Sequence, residues 1–269
     1  MIMTEQAAAS TVSVMDTFRR TETKYVITER QAERLMDLAG PRLKEDLFFQ
    51  YTVHNIYYDT WDSAMIIGCL EKPDYKEKLR LRCYGEPDDS SPVFLEIKKK
   101  YQDITVKRRI MMNEADAYAC MNGVKPFPQG LQIAAELESA VSVYHPQPKI
   151  FAAYDRICWA GIEEDDLRIT FDRSLKYRKD HLSLHLMGTE EQLLDEDTVL
   201  LEIKARDRYP LWLVRNLSEL GIRQGSFSKY GAIYQRETRN RLLNHRIYLQ
   251  EPSCRSGYVI SPERSISHV

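Results

Sequence analysis

Apolar and polar residues alternate with a period of two in a series of short segments, separated by stretches with the wider spacing of amphipathic helices. In Lys78-Leu79-Arg80-Leu81-Arg82-Cys83-Tyr84 the alternation sets Lys78, Arg80, Arg82 and Tyr84 on one strand face and Leu79, Leu81 and Cys83 on the other. Val93 to Lys98 repeats it, with Val93, Leu95 and Ile97 opposed to Phe94, Glu96 and Lys98, and Ile104 to Ile110 aligns Thr105, Lys107 and Arg109. Further segments align Tyr154 with Arg156, Arg168 with Thr170 and Asp172, and Glu202 with Lys204, while Glu22 and Lys24 share a face near the start.

The helices are legible from their ends. Thr28 followed by Gln31 is a capping box, Ala32, Leu35, Met36 and Leu38 keep helical spacing, and Gly40-Pro41 stops the run. Asn113 to Met121 and Leu131 to Tyr144 predict two more, Pro210 suits the first turn of a fourth, and Ser228 can cap a last one. Amphipathic helices need an apolar surface, which the apolar faces of the strands supply. The expected fold is therefore α+β, a closed antiparallel β-barrel with helices packed on the outside and the charged faces turned into a lumen. The plainer alternative is a half-solvated sheet, but the polar faces are dense in Arg and Lys rather than mixed. A buried row of cations must stay wet or hold an anion. A chain of phosphates with a divalent metal on a carboxylate suits it.

Composition narrows this without changing it. The 269 residues are 43% apolar and 29% charged, and 38 basic against 40 acidic residues give a net charge of −2, which argues against wholesale binding of nucleic acid. One domain is expected over 16–245, with flexible tails at 1–15 and 246–269. Five cysteines without CxxC or zinc spacing read as reduced thiols, and no apolar run is long enough to cross a membrane, so a cytoplasmic chain without direct membrane insertion is expected. His181 and His185 alternate with leucines and make a poor metal pair.

A set of segments then brings a family into view: Arg20-Thr-Glu22-Thr-Lys24-Tyr25, Tyr57-Tyr58-Asp59-Thr60, Lys78 to Gly85, Phe94 to Lys98, Val106-Lys107-Arg108, Tyr154-Asp-Arg156, Leu167-Arg168-Ile, Leu201 to Lys204 and Ser226-Phe-Ser228-Lys229-Tyr230. Together they resemble the triphosphate tunnel metalloenzyme (CYTH-like) superfamily and, within it, the vacuolar transporter chaperone (VTC) domain polyphosphate polymerases. The resemblance implies a triphosphate tunnel fold, with Lys24, Arg80, Arg82, Lys98, Lys107, Tyr154, Arg156, Arg168, Ser228 and Lys229 binding phosphates. It implies Glu202 as the ligand of Mn2+ or Mg2+. Lys24, Arg80, Arg82, Arg156, Arg168 and Glu202 would form the catalytic set. Arg20 stands where the hydrolytic relatives carry a glutamate, which tilts the expectation toward transfer from ATP to inorganic polyphosphate. The alternatives are a metal-dependent inorganic triphosphatase or nucleoside triphosphatase, or a non-catalytic polyphosphate-binding module. The polymerases it resembles work beside membrane-spanning parts, so a separate membrane partner fits the expectation.

Overall fold

The alternating segments are strands, and their two faces carry different chemistry. The computed structural model describes the backbone of residues 21–71, 74–87, 91–102, 104–185 and 188–250. Its strands are β1 (Thr21–Thr28), β2 (Leu43–Asp59), β3 (Tyr75–Tyr84), β4 (Val93–Tyr101), β5 (Ile104–Met112), β6 (Gln147–Gly161), β7 (Arg168–Arg178), β8 (Glu191–Gln192) and β9 (Thr198–Ala205). The helices are α1 (Glu29–Ala39), α2 (Ala64–Leu70), α3 (Glu114–Met121), α4 (Gln132–Tyr144), α5 (Leu211–Glu219) and α6 (Lys229–Gln250). Contacts divide the chain into a unit that ends at Tyr234 and one that begins at Gln235; the sheet belongs to the first, and the described part of the second is the rest of α6. The N-terminal tail, Arg20 and the C-terminal residues beyond Gln250 lie outside the described residues.

The caps read from the sequence are present. Thr28 Oγ1 accepts from Gln31 N and the Gln31 side chain accepts from Thr28 N, so the first turn of α1 loses few orphan donors. Asn113 caps α3, and the Ser228 hydroxyl accepts from Gly231 N at 3.2 Å in the first turn of α6. Cys69, Cys83, Cys120 and Cys158 are buried. Among the described residues, no helix is long and apolar enough to cross a membrane.

The nine strands form a single antiparallel sheet in the order β1-β9-β7-β6-β2-β3-β4-β5, with β8 pairing on β7. This corrects the expected closed barrel. β1 and β5 are edges that exchange no ladder among the described residues, and the outer edge of β1 is partly taken by Gly225, whose N–H donates to Lys24 O at 2.8 Å. Alternation decides which face a side chain takes, but closure depends on whether two distant edges meet, and the alternation does not encode that. The sheet nevertheless curls enough for Lys98 on β4 to come within 4.0 Å of Glu22 on β1.

Two apolar clusters cover one side of the sheet. Leu79, Leu81, Cys83, Leu95 and Ile97 pack with Ala117, Cys120, Ile133 and Leu137 of α3 and α4; Ile169, Leu201 and Ile203 pack with Leu35 and Leu213 of α1 and α5. Each fully buried aliphatic side chain contributes roughly 1.5–3 kcal/mol. The second correction concerns the helices: α2 and the start of α6 pack on the opposite, charged side. Ile66, Cys69, Tyr230 and Ile233 cluster there with Tyr57 and Tyr154, and Tyr57 stacks on Tyr230 at 5.1 Å. Tyr57 pairs directly with Arg80, so this contact places the start of α6 over the cationic rows.

Candidate anion-binding face

Strand register brings the charged residues into three ion-pair nodes. In the first, Arg80 of β3 faces Glu96 of β4 across the ladder, its Nε donating to Glu96 Oε2 at 2.6 Å, and Lys107 of β5 reaches Glu96 Oε1 at 2.7 Å. Glu96 is 1% exposed. Burial alone would raise its pKa, but Arg80, Arg82 and Lys107 outweigh that and hold the carboxyl far below the usual carboxylate range. Burial pulls Lys107 down to about 7, with Glu96 only partly offsetting it and Arg80 and Arg82 adding to the depression. Arg82 itself is locked by Asn55 Oδ1 at 2.8 Å and donates to the Tyr154 hydroxyl at 3.2 Å.

The second node joins β1 and β9. Glu202 contacts Lys204 and lies 3.5 Å from Lys24, which also pairs with Glu22 at 3.3 Å. Burial opposes ionisation of Glu202, yet Lys204, Lys24 and Arg156 keep its pKa well below the ordinary value. The third node is Asp172 on β7. It takes both Nε and Nη2 of Arg156, at 2.6 and 2.8 Å, and the Lys229 ammonium at 2.6 Å. Lys229 Nζ also sits 4.1 Å from the Tyr154 ring centroid. The Tyr154 hydroxyl, which burial would make less acidic, is pulled below its usual pKa by Arg82, Arg156 and Lys229. Lys78 joins from β3, donating to the Ser228 hydroxyl at 2.7 Å, and burial drags its pKa down to about 8.

Of the residues singled out in the sequence, Lys24, Arg80, Arg82, Lys98, Lys107, Tyr154, Arg156, Glu202, Ser228 and Lys229 lie together on this face. Arg168 sits apart at its rim, 58% exposed with its Nε 3.5 Å from Asp46. Missing from the sequence reading were Asn55, the role of Asp172 and the contact of Lys78 with Ser228. Asp59 was also missed as an anchor. It is fully buried and accepts from Met65 N, Ile66 N and the Tyr230 hydroxyl, so one carboxylate caps α2 and fixes the start of α6.

The expected metal site is also corrected. Among the described residues there is no group of three or more His, Cys, Asp or Glu side chains that could hold a metal ion. Glu202 faces two lysines, so its oxygens are already engaged by cations. The described residues do not fit a protein-borne Mn2+ or Mg2+ cage. His185 likewise pairs with Glu114 rather than with His181.

Residues 19–236 match the family model described as VTC domain. The chain is 27% identical over 222 residues to vacuolar transporter chaperone complex subunit 4 of Schizosaccharomyces pombe, a match that covers 66% of this chain and 30% of that protein. The chain thus spans about a third of the relative's length. Among solved structures, the bh2851 protein of Bacillus halodurans aligns with a TM-score of 0.49 at 12% identity, covering 78% of this chain and 95% of that one. The PH1819 protein of Pyrococcus horikoshii aligns with a TM-score of 0.43 at 12% identity, covering 80% and 99%.

Proposed function

We propose, because this chain belongs to the VTC domain family, that its charged face binds a nucleoside triphosphate and a phosphate chain side by side and transfers the terminal phosphate from one to the other. The observation that carries the reading is the gathering of Arg80, Lys107, Lys24, Lys204, Arg156 and Lys229 around the carboxylates of Glu96, Glu22, Glu202 and Asp172, with Arg82 beside them on Asn55 and Tyr154, a set in which cations predominate. An oxygen at the chain end attacks the γ-phosphorus, the bond to the β-phosphate oxygen breaks, and the electron pair leaves with the diphosphate. The chain grows by one phosphate. Such a transfer needs in-line positioning and charge neutralisation more than a covalent participant.

The residues of this face supply both. Arg80, Arg82 and Arg156 present fixed guanidinium forks held by Glu96, Asn55 and Asp172, so little ordering remains to be done when phosphate arrives. Lys24, Lys107 and Lys229 add mobile point charges. No base is required, because a phosphate chain end is already largely ionised near neutral pH. Water as acceptor would give a triphosphatase on the same face, and binding without transfer a polyphosphate receptor.

The test is to incubate the purified chain with ATP, with and without Mn2+ or Mg2+, and resolve the products. Long-chain polyphosphate with ADP is the expected result. Free phosphate alone would replace the polymerase with the hydrolase, and retention of added polyphosphate without turnover would leave a binding module.

A further inference from the structure

The cationic rows end, along β3 and β4, in aromatic rings. Following β3 from the contact with Ser228, the charged face presents Lys78, Arg80, Arg82 and then Tyr84, each step about 7 Å. Tyr84 makes edge contacts with Tyr51 at 5.6 Å and with Phe94 at 5.5 Å. All three rings are half-buried. Phe94 lies outside the three apolar clusters, and its cross-strand neighbour Met111 is 43% exposed. Its ring is overlaid by a cation instead, with the Arg109 guanidinium 4.7 Å from the centroid. The row is continuous with the phosphate-type site, since Arg82 lies 5.7 Å from the Tyr84 centroid.

A half-buried ring under a guanidinium, directly across the ladder from Arg82, is an arrangement that can receive a nucleobase: a base stacks on the guanidinium or beside the ring while its phosphates run toward the cations. We propose that Phe94 and Arg109, with Tyr84 beside them, form the nucleobase subsite of the nucleoside triphosphate. The phosphates then point along β3 toward Lys78, and the end of the face beside Ser228 is left to the phosphate chain. Stacking of this kind uses the π-face that every base has, so purine nucleotides are accepted alike. This rests on the function proposed above, and the experiment separates the two.

Binding of ATP and of inorganic triphosphate to the full chain is measured by calorimetry for the wild type, Phe94→Leu and Phe94→Trp. Leucine keeps apolar bulk without a π-face, and thermal melting checks that it folds. Phe94→Leu is expected to weaken ATP about fivefold or more while leaving triphosphate within about twofold, and Phe94→Trp to retain ATP affinity. Equal losses for both ligands, or no loss for ATP, would overturn the nucleobase subsite. A wild type that binds neither ligand would instead overturn the proposed function. Should Phe94→Leu unfold, the ratio of ATP to triphosphate affinity in Phe94→Trp and Arg109→Gln decides: an unchanged ratio in Arg109→Gln overturns the subsite.

Discussion

Binding of a phosphate chain should take protons from solution, and the size of the uptake follows from two lysines. In the ligand-free face Lys107 titrates at about 7 and Lys78 at about 8, both lowered chiefly by burial and then by neighbouring cations. At pH 8.5 about 97% of Lys107 and about 75% of Lys78 would be neutral, against almost none of an ordinary lysine near 10.4. A polyanion laid across both restores the charged form, so binding takes up at most about 1.7 protons per site. The Lys107 side chain is 37% exposed, and solvent screening lowers its share, giving about 1 to 1.7 overall. Affinity must then fall about 10- to 50-fold for each pH unit above 8. The assay is calorimetric titration of long-chain polyphosphate at pH 8.5, where its internal phosphates are fully ionised, in two buffers of different ionisation enthalpy. Lys107→Arg, charged at every working pH, should remove most of one proton of uptake. An uptake below about 0.3 proton in the wild type, or no change in Lys107→Arg, would refute the reasoning.

Stability runs the other way. A lysine whose folded pKa lies below its unfolded value binds fewer protons when folded, so between about pH 7 and 10 the ligand-free protein should gain stability as pH rises, read as an increasing urea midpoint. Glu96→Gln leaves Arg80 and Lys107 facing each other without their buried counter-ion and should cost about 3–5 kcal/mol, much of it recovered when triphosphate is added, as thermal melting would report. Tyr230→Phe removes the hydroxyl that donates to Asp59 at 2.9 Å; a loss of about 1–3 kcal/mol is expected, with weaker triphosphate binding because Ser228 and Lys229 are positioned by the same turn. Leu79→Ala, on the opposite face, should cost about 2–5 kcal/mol in urea unfolding without altering the ratio of ATP to triphosphate affinity.

Where the period-two pattern is strict, alternation alone places individual side chains: Leu79, Leu81 and Cys83 lie in the core and Arg80 and Arg82 on the charged face. It failed where the pattern lapses. Val53 through Asp59 on β2 are all buried, so no polar face marked the strand and Asn55 went unread. α2 lacks a side-chain cap at Ser63, a residue in the left-handed region at φ 64°, and its first amides are held by Asp59 from outside the helix, a partner no local signature announces. The carboxylates were recognised, but whether Glu202 faces a metal or two lysines depends on β1–β9 register, which pairs Lys24 with Glu202.

For the transfer proposed above, the end strands β1 and β5, which form no ladder with each other among the described residues, bear on how a lengthening product would leave. A polymer threaded through a closed ring can escape only by its end, and mechanical capture alone would keep it engaged through many additions. A polymer lying on a curved face whose end strands do not pair with each other can lift away sideways at any length. For such a product, the number of additions per encounter is set by how many cations grip the chain at once, so ionic strength, which weakens each grip, becomes a control on chain length as well as on affinity.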